Sequence, residues 1–73
     1  MVIYILTETD ESGFIWKNGL YRKKENAERT LENIVKDYAE RGYPLVEKTA
    51  QAGDRLFENE FARVRLTFKM TRD

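Results

Sequence analysis

The sequence predicts an α+β fold in the order β-β-α-β-β, with one helix packed on one face of a four-stranded, mostly antiparallel sheet. Three observations lead to this prediction. An apolar run opens the chain at residues 2–7, a helical pattern of apolar residues spans residues 24–41, and residues 61–70 alternate without a break. The 73 residues contain no repeat, low-complexity tract or linker. They are therefore expected to form a single domain, residues 1–73.

Two strands are predicted before the helix. Residues 2–7 are apolar on both sides of an extended chain, which favours a strand that is covered on both faces. Turn-forming residues follow at 9–13, and β character resumes at residues 14–16. The Asn-Gly pair at residues 18–19 favours either a tight turn or a bulge within a longer second strand.

The segment 24–41 is the clearest element. Its apolar residues fall on one helix face: Ala27, Leu31, Ile34, Val35 and Tyr38. Gly42 stands where a left-handed C-terminal cap is needed, and Pro44 cannot continue a helix. The start is open, because Asn26 is a good N-cap residue but the helix can also begin near residues 23–24.

The remaining segments are predicted to complete the sheet. Residues 45–50 can form a third strand, and residues 55–60 form either a hairpin arm or an irregular excursion. In the last strand, alternation turns one set of side chains toward the helix: Ala62, Val64, Leu66, Phe68 and Met70. The first strand is expected at the centre beside the last. One parallel pair is also allowed, because a helix connects two of the strands.

Composition excludes several chemistries. The chain has neither cysteine nor histidine, which removes zinc sites of the usual kind, thiol catalysis and imidazole acid–base catalysis. Thirteen cations balance thirteen anions, which counts against a dedicated nucleic-acid-binding protein. The acids near predicted turns have no recognisable spacing, so a magnesium–carboxylate enzyme is the weakest hypothesis. We expect a non-enzymatic, cytoplasmic protein without a cofactor.

A basic row on the last strand is the first candidate site. Arg63, Arg65 and Lys69 lie on the side away from the helix, with Phe61 beside them. Cations next to an aromatic ring are typical of nucleic-acid contacts. Nucleic-acid binding is therefore the alternative function, with Arg63, Arg65 and Lys69 as its candidate residues. The simpler interpretation is that they pair across strands with acids such as Glu8 or Glu47.

The uncovered face of the sheet is the stronger candidate. One helix covers one face of a four-stranded sheet, yet the first strand is apolar in both registers. Large apolar side chains should therefore reach the uncovered face, where contiguous apolar surface often marks an interface. The alternative is that long lysine and arginine stems, together with the loop at residues 50–60, cover that surface within the monomer.

Four stretches give the chain a resemblance to small bacteriophage and mobile-element proteins. These are "IYILTET" at the start, "GLY" at residues 19–21, "ENAERTLE" in the helix and "ENEFARVRL" before the last strand. The resemblance implies a protein that binds and blocks a host enzyme or defence complex. It implies no catalytic residue.

We therefore expect an interaction module with a protein partner, either a host protein or a second copy in a homodimer, and no contact with a membrane. Aromatic side chains and arginines are enriched at the centres of protein interfaces. The candidate partner-binding residues are Trp16, Phe57, Phe61, Arg63 and Arg65.

Overall fold

The computed structural model describes residues 1–72, with the backbone alone at residue 16. Within that part, one helix packs on a five-stranded sheet, which agrees with the predicted α+β class. The elements in chain order are β1 (Val2–Asp10), β2 (Ile15–Tyr21), α1 (Lys24–Glu40), β3 (Val46–Lys48), β4 (Arg55–Glu58) and β5 (Ala62–Met70).

The predicted number of strands is wrong because the segment after the helix contains two strands before β5. β3 and β4 pair antiparallel, with Val46 opposite Glu58 and Lys48 opposite Leu56. A turn at residues 49–54 joins them, and Gly53 takes a φ of +88° there, where glycine has no steric penalty. Of the two alternatives for the segment after this turn, the hairpin arm is therefore the one formed.

The sheet has the order β2-β1-β5-β4-β3, and each neighbouring pair in it is antiparallel. The predicted pairing of the first strand with the last is confirmed, because β1 and β5 pair along their whole length. No parallel pair occurs among residues 1–72. The reason is topological: α1 connects β2 to β3, and these strands lie at opposite edges of the sheet.

The helix begins without a side-chain cap and ends with a well-formed one. Lys23 is the extended N-cap residue, so Asn26 lies inside the first turn and does not cap it. At the other end, the Gly42 amide donates to Ala39 O at 3.1 Å and the Tyr43 amide donates to Tyr38 O at 2.9 Å. With Gly42 at φ +91°, these bonds form a Schellman motif, as the sequence predicts.

The core lies between α1 and the face of the sheet that α1 covers, which we call the helix face. Its buried members are Leu6, Ala27, Leu31, Leu45, Phe57, Val64 and Leu66. Ile34, Val35 and Tyr38 pack against this cluster from the helix, so the predicted stripe is confirmed. The opposite face of the sheet, which we call the open face, carries the side chains that alternate with these.

The last residues of β5 lie outside the core cluster. Phe68 and Met70 lie on the helix face but remain 44% and 69% exposed, so the expectation that they meet the helix is wrong. A nine-residue strand extends about 30 Å, whereas a helix of 17 residues extends about 25 Å. The turn before β4 approaches Phe68 instead: a Cβ atom on Gly53 would lie 2.3 Å from its ring.

The β1–β2 hairpin is closed by a side chain. The carboxylate of Asp10 accepts hydrogen bonds from the Ser12 hydroxyl at 2.6 Å, the Ser12 amide at 2.9 Å and the Phe14 amide at 3.0 Å. The Asn-Gly pair at residues 18–19 lies inside β2 and forms neither a turn nor the bulge. The register instead shifts between Glu8 and Thr9.

Candidate interaction surface

An apolar patch occupies one side of the open face. It consists of Ile3, Ile5 and Leu20: Ile5 lies opposite Leu20 across the β1–β2 pair, and Ile3 is two residues along the same strand. Leu20 is 67% exposed. Because β1 is apolar in both registers, one set of its side chains must lie outside the core. The sequence predicts that apolar side chains reach this face, and Leu20 does so, whereas Ile3 and Ile5 are half-buried. None of the three was among the candidate site residues.

A basic row follows the patch along β5. Arg63 and Arg65 lie on the open face, and Lys69 lies opposite Ile3. The Arg63 Nε is 3.0 Å from Glu58 Oε2, and Arg65 Nη1 is 3.7 Å from Asp54 Oδ2. Lys69 forms no ion pair among residues 1–72. Two of the three cations are therefore already compensated, and the free positive charge of the row is concentrated at one end.

The acids that compensate this row differ from those expected. Glu8 lies opposite Val64 and Glu47 lies opposite Phe57, which places both carboxylates on the helix face. The expectation that they pair with the basic row is therefore wrong. Glu47 binds Arg55 instead, with Nε–Oε2 at 3.1 Å, and this hydrogen bond raises the pKa of Arg55 above its usual value.

Asp54 organises the middle of the open face. Its side chain is only 8% exposed, and it accepts a hydrogen bond from the Thr67 hydroxyl at 2.8 Å in addition to the contact with Arg65. Leu56 is also buried, although it lies opposite Arg65 and outside the core cluster. The β4 side of the open face is therefore covered by its own side chains, whereas the β1–β2 side is not.

Phe57 does not lie on the open face. It is opposite Val64, belongs to the core cluster and is 8% exposed, because the alternation of β4 turns it toward the helix. The guanidinium of Arg55 lies over its ring at 5.1 Å from the centroid. Its assignment to a partner-binding surface therefore needs correction: Phe57 holds the fold together.

Phe61 is exposed, but it is separated from the arginines. The side chain of Asn59 accepts hydrogen bonds from the amides of Phe61 at 2.7 Å and Ala62 at 2.8 Å, and it donates to Tyr43 O at 2.9 Å. This turn starts β5 at Ala62, so Phe61 escapes the alternation of the strand. Its ring instead contacts Tyr43 edge to face, with centroids 5.7 Å apart.

The predicted anchor Trp16 has its backbone in β2. Its side chain lies outside the part of the chain that the structure describes. Of the five predicted partner-binding residues, the structure therefore places Arg63 and Arg65 together on the open face. Phe57 lies in the core, and Phe61 lies beside Tyr43.

A cleft of about 390 Å³ lies on the helix side, lined by residues of β1, β2 and α1 and by Arg41. Glu8 lines it, although only 4% of this residue is exposed, and it accepts a hydrogen bond from the Tyr38 hydroxyl at 3.4 Å. Burial and the negative charge of Glu8 raise the pKa of Tyr38. Residues 1–72 contain no group of three or more acidic side chains that could hold a metal ion.

No family model matches the chain, and neither a curated protein nor a solved structure shows significant similarity to it. Residues 1–72 also include no helix with the length and apolar character needed to cross a membrane.

Proposed function

We propose that this chain is a non-enzymatic protein-interaction module that docks a partner protein on its open face. The observation that carries the proposal is the apolar patch, in which Leu20 is 67% exposed on the side that α1 leaves uncovered. Exposed aliphatic side chains that are contiguous on a small domain are typical of docking surfaces. A partner would remove this surface from water.

The charges beside the patch suggest which partner would fit. Lys69 borders Ile3, and it has no carboxylate partner among residues 1–72. A partner with apolar side chains opposite Ile5 and Leu20 and a carboxylate opposite Lys69 would complement both parts of the surface. Arg63 and Arg65 would orient that partner from the rim, where their existing ion pairs limit what they add to affinity.

The resemblance to small bacteriophage proteins supports a narrower proposal, in which the partner is a host enzyme or defence complex. A domain of this size that docks by one face would block the surface it covers. The alternative is nucleic-acid binding through Arg63, Arg65 and Lys69. It has less support, because two of these cations are ion-paired and the net charge of the chain is zero.

Two residues with nearly equal exposure on opposite faces provide the test. Leu20 is 67% exposed on the open face, and Met70 is 69% exposed on the helix face. Tagged wild-type protein, Leu20→Lys and Met70→Lys would be used to capture proteins from cells of the source organism, with quantification by mass spectrometry. A partner that is retained by Met70→Lys and lost by Leu20→Lys supports the proposal.

Equal capture by both variants would show that the open face is not the docking surface. Circular dichroism would confirm that both variants keep the wild-type fold, as expected for exposed positions. The nucleic-acid alternative makes a separate prediction: short oligonucleotides would bind at low salt, and their affinity would fall steeply as salt is added.

A further inference from the structure

The two edges of the sheet differ in how well they are protected against pairing with another strand. β3 has three residues, follows Pro44 closely and carries Glu47 and Lys48, all of which discourage strand addition. β2 has seven residues, and no other strand among residues 1–72 pairs with its outer side. The N–H and C=O groups that point outward from β2 are therefore available to another chain.

Several side chains on and next to β2 are large, apolar and exposed, so a partner strand that pairs with β2 would remove them from water. Ile15 and Leu20 are 54% and 67% exposed, and Phe14, directly before the strand, is 65% exposed. Two features of β2 discourage unspecific edge pairing: Lys17, and a bulge at residue 16, where β2 has one residue more than β1. Beyond the bulge, residues 17–21 pair regularly with β1, so this part of the edge is the part that a partner strand can extend.

Charge at the ends of β2 indicates what that partner strand is. The turn that precedes β2 carries Asp10 and Glu11, whereas the segment that follows it is "RKK" at residues 22–24. When two copies of one strand pair antiparallel, the start of each lies beside the end of the other. A second copy of this chain would therefore bring Glu11 close to the basic segment twice, once at each end of the interface.

We infer that β2 pairs antiparallel with β2 of a second copy, across a two-fold axis near the middle of the strand. The axis is perpendicular to the sheet, because only that orientation makes the two β2 strands antiparallel neighbours in one sheet. Two five-stranded sheets then form one continuous sheet. Both helices lie on the same side of it, and the two apolar patches become adjacent on the other side.

This inference does not rest on the proposed docking function, because it uses the edge of the sheet and not its open face. Sedimentation velocity over a roughly hundredfold range of protein concentration would measure it. We expect a reversible shift from the 8.7 kDa monomer to a species of twice that mass. Hydrogen exchange of the peptide that covers residues 15–21 should slow as the dimer forms.

Charge reversal tests the arrangement. Glu11→Lys and Lys23→Glu each replace two attractions with two repulsions, and each should raise the dissociation constant by about tenfold. The double variant Glu11→Lys/Lys23→Glu should return to within about threefold of wild type. Matched reversals at exposed positions away from β2, Glu60→Lys and Lys36→Glu, should leave the dissociation constant unchanged.

A chain that stays monomeric over the whole concentration range would overturn the inference. A dimer that responds equally to the edge reversals and to their controls would also overturn it, since such a dimer uses another surface. Neither outcome depends on partner capture by Leu20→Lys and Met70→Lys, so failure of the dimer and failure of the docking function can be told apart.

Discussion

The two faces of the sheet are built from the same alternating strands, but they are held together by different interactions. On the helix face, Leu31 and Val64 are fully buried in an apolar cluster. On the open face, order comes from polar pairs: Asp54 accepts from Thr67, and Arg63 contacts Glu58. The apolar patch lies beside these pairs, with Leu20 exposed and Ile3 and Ile5 half-buried.

Under the proposed docking function, this difference would separate the residues that stabilise the fold from those that bind a partner. A domain of 73 residues has one small core, so its free energy of unfolding depends mainly on the helix face. The open face can present Leu20 to a partner because the fold does not depend on burying that side chain. Substitutions of similar chemistry on the two faces should therefore have different effects, and four predictions examine this, beginning with the largest.

Truncating a leucine on each face should give the largest contrast. Leu31→Ala should lower the free energy of unfolding by about 2–5 kcal/mol, because it removes buried methyl groups and leaves a cavity. Leu20→Ala should change it by less than about 0.5 kcal/mol, since that side chain is mostly in water. Urea unfolding followed by circular dichroism measures both. Similar losses in the two variants would mean that the patch is part of the core.

Two glycines with nearly the same backbone conformation test how the end of the helix face is covered. Gly42 and Gly53 have φ values of +91° and +88°, but only Gly53 lies against a ring, that of Phe68. Gly42→Ala should cost about 1–2 kcal/mol for the left-handed backbone alone. Gly53→Ala should cost about 1–3 kcal/mol more, because the methyl group must displace Phe68. Equal losses in thermal unfolding would show that Phe68 moves aside freely.

Two threonines test whether Asp54 organises the open face. Thr67 donates to the buried side chain of Asp54 at 2.8 Å, so Thr67→Val should cost about 1–2 kcal/mol. Thr9 lies on the same face but donates only a 3.4 Å bond to Arg63 O. Thr9→Val should therefore change stability by less than about 0.5 kcal/mol. If the two valine variants unfold at the same urea concentration, the Asp54 contacts add nothing to stability.

The smallest effect is expected at the hairpin turn, which belongs to neither face. The hydrogen bond from the Ser12 hydroxyl lowers the pKa of Asp10 below its ordinary value of 3.8, and hydrogen bonds from nearby backbone amides lower it further. Because the pKa is lower in the folded state, the stabilisation is present above pH 3.8 and is lost as pH falls through the folded pKa. Asp10→Asn should therefore be less sensitive to acid than wild type when melting temperatures at neutral pH and near pH 3 are compared. An NMR titration that gives Asp10 an ordinary pKa would contradict this.

The parts of the fold that follow from local periodicity could be predicted from the sequence. The apolar stripe from Ala27 to Tyr38 and the cap at Gly42 are determined by residues of one helix and the turn that ends it. The alternation of residues 62–70 likewise identifies β5, and the apolar first strand identifies its neighbour. In each case, the signal lies in residues that are close together in the sequence.

The rest depends on where turns place the strands. The segment 45–60 has no long periodic pattern, so its two short strands are defined by the turn and by pairing with β5. The structure places Glu47 opposite Phe57, whereas alternation within such short strands shows neither their register nor which face the helix covers. Phe61 was misplaced because it lies in the Asn59 turn, and the alternation of β5 begins only at Ala62. The sequence therefore suggests the open face without giving all of its members.

The pairing of β1 with β5 also has a consequence for how the protein is made. β1 leaves the ribosome before β5 and cannot pair with it until residues 62–70 have been synthesised, because these supply Val64 and Leu66 to the core. Until then the hairpin and the helix exist without the strand that fills the core between them. Pairing at such a long separation in sequence makes folding slow and leaves apolar surface exposed in the nascent chain. The apolar surface of β1 and α1 that belongs to the core is therefore fully covered only once β5 has paired with β1.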